Sequence, residues 1–186
     1  MQANSRPVSS NQAGIHPQLE RTVRRHAESS FLKPIAASSL AAFDQAIAAW
    51  KAHGGSLILD SGCGVGLSTR RLAVRFPQSF VIGIDQSSDR LERAVRWPGM
   101  QPTNFITLRA DLVDFWRLML AERLCPARHY LLYPNPWPKK DHLGRRWHGH
   151  PVFPTVIALG GAIECRSNWK IYIDEFALAL RQLTGI

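Results

Sequence analysis

The stretch SLILDSGCGVG, residues 56–66, joins a short apolar run to a glycine-rich turn. The apolar run predicts a strand at 56–60, and a helix is predicted after the turn, over 67–76, where Pro77 ends it. Glycines let the backbone turn tightly and approach a ligand closely, while the helix that follows offers free N–H groups. A strand, a glycine-rich turn and a helix in this order are typical of the first unit of a doubly wound α/β sheet.

The same alternation continues along the chain. Apolar runs predict further strands at 80–85, 104–111, 129–134 and 162–166. Between them lie helical patterns: one begins near Ser87 or Ser88 and buries Leu91, Ala94 and Val95, and a second covers 112–123. A last helix carries Tyr172, Phe176, Ala179, Leu180 and Leu183 on one face. We therefore expect an open, doubly wound α/β fold with a mostly parallel sheet, whose ligands bind beyond the carboxyl ends of the strands.

The N-terminal part differs from this pattern. Residues 1–16 are predicted to form a disordered tail, and 17–186 a single domain that begins with a helical extension. The extension carries Arg21, Arg24 and Arg25, and two interpretations stay open for them: a solvated helix face or a contact with RNA. A second helix opens at Pro34, presents Leu40, Phe43, Ile47 and Trp50 at helical spacing, and ends at Gly54 and Gly55.

Composition narrows the class of protein. The 186 residues are 45% hydrophobic and 20% charged, and 23 Lys and Arg against 14 Asp and Glu leave a net charge of +9. This surplus favours a polyanionic partner, nucleic acid or an anionic membrane surface. No apolar stretch is long enough to predict a membrane span. Cys63, Cys125 and Cys165 form no CxxC pair, which predicts a cytoplasmic protein without a disulfide framework or a structural zinc.

Three aspartates follow or end predicted strands. Asp60 precedes the glycine loop, where it would repel a phosphate and attract an ammonium group. Asp85 can accept both hydroxyls of a ribose, and Asp111 can accept from an adenine amine. Leu67 stands where a dinucleotide-binding fingerprint has its third glycine, so the ligand need not carry a pyrophosphate.

A ligand with an ammonium group, a ribose and an adenine but no phosphate matches S-adenosylmethionine. Residues 56–111 resemble the class I methyltransferases in the order and spacing of these features, with Gly62, Gly64 and Gly66 forming the cofactor loop. The structural alternative is that all three aspartates are helix N-caps at strand–helix turns.

The segment after the fourth strand, LLYPNPWPKKDHLGRRWHGHPVF at 131–153, is strongly basic. Its cations can bind phosphates and its tryptophans can stack on bases, and four prolines restrict it. The cations and tryptophans are Lys139, Lys140, Arg145, Arg146, Trp137 and Trp147. One alternative is a solvated loop with its tryptophans in the core. Another is a zinc site formed by His142, His148 and His150, which we disfavour because no Cys or carboxylate stands at ligand spacing, so no metal is predicted.

This segment resembles the bacterial tRNA (guanine-N7)-methyltransferases. The resemblance rests on Pro134 to His142 with Arg145 and Arg146, and on Gly160-Gly161 followed by Ser167-Asn168-Trp169 and Tyr172, and it spans roughly 55–180. It implies methylation of guanine N7 in tRNA with S-adenosylmethionine as cofactor. The predicted substrate-binding residues are Trp137, Lys139, His142, Arg145, Arg146 and Asn168, and Asn135 is the predicted catalytic residue.

The sequence departs from the family at three places. Asn135 and Asn168 each replace an expected Asp. Guanine N7 already carries a lone pair and needs no general base, so we expect Asn135 to align the base with the methyl group. The chain ends after the helix that follows strand five, which predicts a sheet without the full C-terminal strand pair and without the family's Thr-x-x-Glu motif.

Two other functions stay open at this stage. Asn135-Pro136-Trp137 partly resembles the Asn-Pro-Pro-Tyr motif of amino-methyltransferases, so the target can be an exocyclic amine or another RNA base. The loss of two aspartates also fits a non-catalytic RNA-binding relative. The sequence does not specify an oligomeric state.

Overall fold

The computed structural model describes residues 7–93 and 101–186, so the predicted core positions Ala94 and Val95 lie outside the described residues. The helices are α1 Leu19–Ala27, α2 Ala37–His53, α3 Leu67–Arg75, α4 Ser88–Glu92, α5 Leu112–Ala121, α6 Phe153–Ala158 and α7 Lys170–Thr184. The strands are β1 Ser56–Ser61, β2 Ser79–Asp85, β3 Phe105–Arg109, β4 Arg128–Leu132 and β5 Ala162–Arg166, and 3₁₀ turns cover Lys140–Arg145 and Trp147–Gly149. None of the described helices combines the length and the apolar character needed to cross a bilayer.

The five strands form one sheet in the order β3-β2-β1-β4-β5. β1 pairs in parallel with both β2 and β4, and β2 pairs in parallel with β3. Sequence neighbours in this sheet run parallel and are joined by helices, as a doubly wound fold requires. The predicted fold class is confirmed, and the sheet of the described residues has five strands.

The central strands are buried over nearly their whole length. Every residue of β1 after Ser56, and every residue of β2 after Ser79, is buried. Ile58, Val81 and Tyr130 form a core cluster with Leu72 and Ala73 of α3. Such continuous apolar strands are expected when helices cover both faces of a parallel sheet.

Helix α2 buries Phe43 and Ile47 of its apolar pattern. Phe43 packs edge-on against Phe115 of α5 at 5.3 Å between ring centroids, as its spacing predicted. Leu40, which shares this helical spacing, is 45% exposed. The buried residues also include the small Ser39, Ala42 and Ala46, which allow close packing.

The chain divides into two compact units. The sheet unit consists of residues 34–132 and 159–164, and the loop unit of residues 7–33, 133–158 and 165–186. In the loop unit, α1 packs against α6 and α7, and Phe153 stacks edge-on with Phe176 at 5.2 Å. The loop unit thus contains the basic segment, and the sheet unit contains the glycine loop.

Part of the predicted disordered tail is ordered. Ser10 Oγ donates to the carbonyl of Pro138 at 2.6 Å, and the amide of Lys140 donates to Asn11 Oδ1 at 3.3 Å. Gln12 and His16 are buried. The prediction of disorder is therefore wrong for residues 10–16, because polar side chains with no periodic pattern hold them, whereas residues 1–6 lie outside the described residues.

Asn104 provides a test of the sheet unit. Its buried amide nitrogen donates to the carbonyls of Ala73, Phe76 and Ser79 at 2.8–3.2 Å, and thereby satisfies the end of α3. We expect Asn104→Leu to lower the free energy of unfolding by about 1–3 kcal/mol, because buried carbonyls lose their donor. Chemical denaturation measures this. The exposed Gln78→Ala is the control, with an expected change within about 0.5 kcal/mol; equal effects of both substitutions would refute the role of Asn104.

Candidate functional site

The glycine loop between β1 and α3 presents its backbone to open space. The amides of Gly62 and Cys63 both donate to the carbonyl of Ile84, at 2.8 and 3.0 Å, which folds the loop over the end of β2. Gly62 and Gly64 have φ values of 80° and 59°, in the left-handed region that glycine adopts without strain. A Cβ at either position would meet no atom within 4 Å. The loop therefore leaves room for a ligand to lie directly against its backbone.

Asp60 lies beside this loop with one unsatisfied oxygen. The residue is 1% exposed, and its Oδ2 accepts from the hydroxyls of Ser68 and Thr69, both at 2.7 Å. Its Oδ1 is buried without a hydrogen-bond partner. Burial raises the pKa of the Asp60 carboxyl, although the two hydroxyls oppose the rise. A cationic donor at Oδ1 would relieve this cost, and Asp60 is not a helix cap because its partners are side chains.

Asp85 and Asp111 have other local partners. Asp85 Oδ2 accepts from the amide of Gly64 and Oδ1 from the amide of Ser87, each at 2.9 Å, so its carboxylate ties the glycine loop to the end of β2. Asp111 Oδ1 accepts from the amide of Val113 at 2.8 Å and is the N-cap of α5. The alternative of a helix cap therefore describes Asp111. A carboxylate oxygen has more than one lone pair, so neither contact prevents a second acceptor role.

A buried polar group at the end of β1 was not predicted. Ser61 Oγ accepts from Trp116 Nε1 at 3.0 Å and lies 2.8 Å from His129 Nε2. Burial lowers the pKa of His129 to about 3, so the ring is neutral at pH 7. This group orients Ser61 next to Asp60 without adding a charge.

The basic segment of the loop unit is built around Trp137. Its backbone has a left-handed φ of 46°, which is unfavourable for a bulky residue. The guanidinium carbon of Arg145 lies 4.8 Å from the ring centroid, and the His142 ring meets it edge-on at 5.4 Å. Asn135 Oδ1 accepts from the Trp137 amide at 3.3 Å. Four predicted site residues are thus in contact, and of these Asn135 and Arg145 are exposed, as is Lys139.

Arg146 differs from the expectation that it binds RNA phosphates. Its side chain is fully buried. Nη1 donates to Glu175 Oε2 at 2.6 Å, Nη2 to Gln12 Oε1 at 2.9 Å and to the carbonyl of Lys139 at 3.1 Å, and Nε to the carbonyl of Trp137 at 3.2 Å. A guanidinium with these partners cannot reach a phosphate. Arg146 instead fixes the backbone of the basic segment.

A family model described as "Putative methyltransferase" (Methyltransf_4) matches residues 55–185. The chain belongs to this family. Its similar curated proteins include tRNA (guanine-N(7)-)-methyltransferases of Burkholderia vietnamiensis, 27% identical over 122 residues, 63% of this chain and 48% of the relative. Others are those of Treponema pallidum (strain Nichols), 28% over 120 residues, 62% and 48%, and of Bordetella pertussis, 28% over 138 residues, 69% and 50%. The chain spans about half the length of the curated relatives it matches.

A solved structure supports the fold of this methyltransferase-family chain. The "Structure of an Antibiotic Related Methyltransferase" superposes with a TM-score of 0.52 over 85% of this chain and 77% of that chain, at 16% sequence identity. At this identity the similarity establishes the fold alone.

Glu175 is the residue that the sequence reasoning on this family member missed. Its side chain is fully buried; Oε1 accepts from Gln12 Nε2 and the His16 amide, at 2.6 and 2.9 Å, and Oε2 also accepts from His148 Nε2 at 2.8 Å. A signal was present, because Glu175 falls at helical spacing between Tyr172 and Ala179 on the apolar face of α7. An acid on a buried face needs a buried cation.

Asn168 and the histidines of the basic segment lie in different surroundings. Asn168 is exposed two residues before α7, and the neighbouring Trp169 is buried with its ring 4.8 Å from the Arg146 guanidinium carbon. His148 donates to Glu175, and His150 packs against Phe31 and Trp147. The three histidines of the segment therefore have three separate environments.

The ionisation of Glu175 makes the stability of the loop unit depend on pH. Burial by itself raises the pKa of Glu175, but the hydrogen bonds and charges of His148 and Arg146 outweigh it and hold the pKa at about 2. A carboxyl whose pKa is depressed on folding stabilises the fold above its unfolded pKa, and this stabilisation is lost as the pH falls toward its folded pKa.

We expect Glu175→Gln to lower the free energy of unfolding at pH 7 by about 3–5 kcal/mol, because it leaves Arg146 buried without its counter-charge. The difference from the wild type should shrink as the pH falls from 4.5 toward 2, where Glu175 itself becomes protonated. Urea denaturation across this pH range measures it. Asp174→Asn on the same helix is the control: its pair with Lys170 is exposed, so less than about 0.5 kcal/mol should be lost. A Glu175→Gln deficit that stays constant with pH would contradict the assignment.

Proposed function

We propose that this protein transfers a methyl group from S-adenosylmethionine to N7 of guanine in tRNA. The observation that carries the proposal is the buried, unpartnered Oδ1 of Asp60 beside an open glycine loop, in a chain of a methyltransferase family. The names of the curated relatives and the net charge of +9 supply the choice of tRNA as substrate. A cytoplasmic location goes with this substrate.

The residues of the sheet unit fit the cofactor group by group. Asp60 Oδ1 would accept from the ammonium group, and the backbone of Gly62 and Gly64 would lie against the methionine part. The remaining lone pairs of Asp85 and Asp111 would accept from the ribose hydroxyls and the adenine amine. When bound, S-adenosylmethionine supplies a methyl group on a positively charged sulfur.

The proposed reaction needs no general acid or base from the protein. Guanine N7 has a free lone pair, so the new N–C bond forms as the S–C bond breaks, and no proton is transferred. The positive charge moves from the sulfur to the base. A neutral Asn135 in place of an aspartate is compatible with this reaction because its task is to position the base. Its Oδ1 keeps a second lone pair beyond the contact with Trp137, and its amide nitrogen carries two donors.

The exposed cations of the basic segment are proposed to hold the RNA. Lys139 and Arg145 are exposed and can bind phosphates, whereas Trp137 can stack on a base and His142 supports its ring. Asn168 is exposed and can contact the base or the sugar. Arg146 is left out of this set because it is buried.

The decisive measurement is the product. Incubation with labelled S-adenosylmethionine and unmodified bulk tRNA, followed by digestion and nucleoside mass spectrometry, should yield labelled 7-methylguanosine. Label in another nucleoside would show that the target is an exocyclic amine or another base and not guanine N7. Binding of the cofactor without any label would overturn the proposed reaction on tRNA.

Two variants separate the roles of the two units. Asp60→Asn removes the charge that an ammonium group needs, so the Kd for S-adenosylmethionine should rise about ten- to a hundredfold, the effect of a lost hydrogen bond to a charged group. Asn135→Ala should leave this Kd unchanged and lower kcat, since it loosens the base. Calorimetry and single-turnover kinetics measure the two quantities. Equal effects of both variants on cofactor affinity would contradict the division of roles.

A further inference from the structure

A groove of about 690 Å3 lies within the loop unit, between α1 and the basic segment. One wall is formed by residues before and on α1, and the other by the two 3₁₀ turns and the residues around them. The lining residues are His16, Pro17, Gln18, Thr22, Arg25, His26, Lys140, Asp141, Leu143, Gly144, Gly149 and Pro151. Its volume is in the range of ligand-binding pockets, roughly 300–1,000 Å3.

The two walls of the groove pack against each other. Helix α1, on one wall, contacts the 3₁₀ turn Trp147–Gly149, on the other. The amide of Gln18 donates to His16 Nδ1 at 3.1 Å, so that nitrogen carries no proton. Both walls of the groove therefore belong to one compact unit.

Its charge at neutral pH comes from one cation on each wall. Burial lowers the pKa of both His16 and His26, which leaves these rings neutral. Arg25 and Lys140 are exposed, and within residues 7–93 and 101–186 neither side chain is engaged in an ion pair. Among the described lining residues Asp141 is the one carboxylate.

Positive charge extends beyond the groove along both walls. Arg21 is exposed one helical turn before Arg25 on α1, and the exposed Lys139 directly precedes Lys140. A small anion would need only the two cations inside the groove. Cations that continue along both walls suit a polyanion whose charges repeat, as phosphates do along a nucleic-acid backbone.

We propose that this groove binds the sugar–phosphate backbone of the RNA, with Arg25 and Lys140 each contacting a phosphate. The identity of the polyanion as RNA rests on the proposed function, whereas the groove and its charges do not. The surface lies outside the residues assigned above to the base and to the cofactor. It gives α1 a role in substrate affinity.

The test is the salt dependence of binding. Filter binding of unmodified bulk tRNA to the full chain, at KCl concentrations between about 50 and 300 mM, gives the slope of log Kd against log salt. Each phosphate contact contributes roughly 0.7–0.9 to that slope. The double variant Arg25→Gln/Lys140→Gln should therefore lose about 1.5 from the slope and bind at least about tenfold more weakly at 0.1 M salt. Arg25→Lys should keep most of the slope.

Two further variants make the result specific to the groove. Arg24→Gln removes the same charge from the next residue of α1, which does not line the groove, and should change the slope much less. Asp141→Asn removes the opposing charge and should tighten binding. An unchanged slope in the double variant, an equal loss with Arg24→Gln, or weaker binding with Asp141→Asn would overturn the proposal.

Other outcomes separate this proposal from the proposed reaction. Groove variants that weaken tRNA binding, together with no 7-methylguanosine, would support the groove and overturn the reaction. If 7-methylguanosine forms but the salt slope of the groove variants is unchanged, the reaction is supported and the groove proposal is overturned. A wild-type protein that binds no tRNA would also overturn the groove proposal. Saturable binding of inorganic phosphate that Arg25→Gln abolishes, without a change in the tRNA slope, would also overturn it by assigning the groove to a free phosphate.

Discussion

The ion pair between Arg146 and Glu175 is the interaction on which the loop unit depends. Both side chains are fully buried, and Arg146 Nη1 lies 2.6 Å from Glu175 Oε2. The remaining donors of Arg146 bind Gln12 and two backbone carbonyls of the basic segment. A buried charge is tolerated only while its partners are in place. The N-terminal segment, the basic segment and α7 can therefore adopt their conformations only together, and Trp137 is held at a strained φ by this assembly.

The two units are stabilised by different physics. In the sheet unit, apolar strands and helices bury each other, and its polar groups serve the ends of elements, as Asn104 and Asp111 do. Asp60 differs from these two residues, since its buried Oδ1 lacks a partner and burial raises the pKa of its carboxyl. Such a cost is tolerable where a bound cation offsets it, whereas Asp111 already has a backbone partner as the cap of α5.

Neighbouring residues of one type have opposite roles in the basic segment. Arg145 is exposed and lies over Trp137, whereas Arg146 is buried and neutralised by Glu175. Net charge therefore overstates the number of cations available to an RNA. Arg25 and Lys140 are exposed cations that line the groove beside α1, and Trp137, proposed to stack on the base, is not among the residues named as its lining. In the proposed reaction, methyl transfer to a lone pair needs alignment more than proton transfer, so a rigid scaffold would matter more than an aspartate at position 135.

The sequence alone determined the order of the elements, the parallel sheet and the glycine loop with its three aspartates. These features are local: periodicity, glycine and proline act over a few residues, and β5 has the predicted bounds 162–166. The tertiary structure alone decided that Arg146 is buried, that residues 10–16 are ordered and that Leu40 is exposed. The partners of Arg146 lie 29 and 134 residues away in the chain. Pairings between distant polar side chains leave no periodic pattern, because they depend on which surfaces meet after the chain has folded.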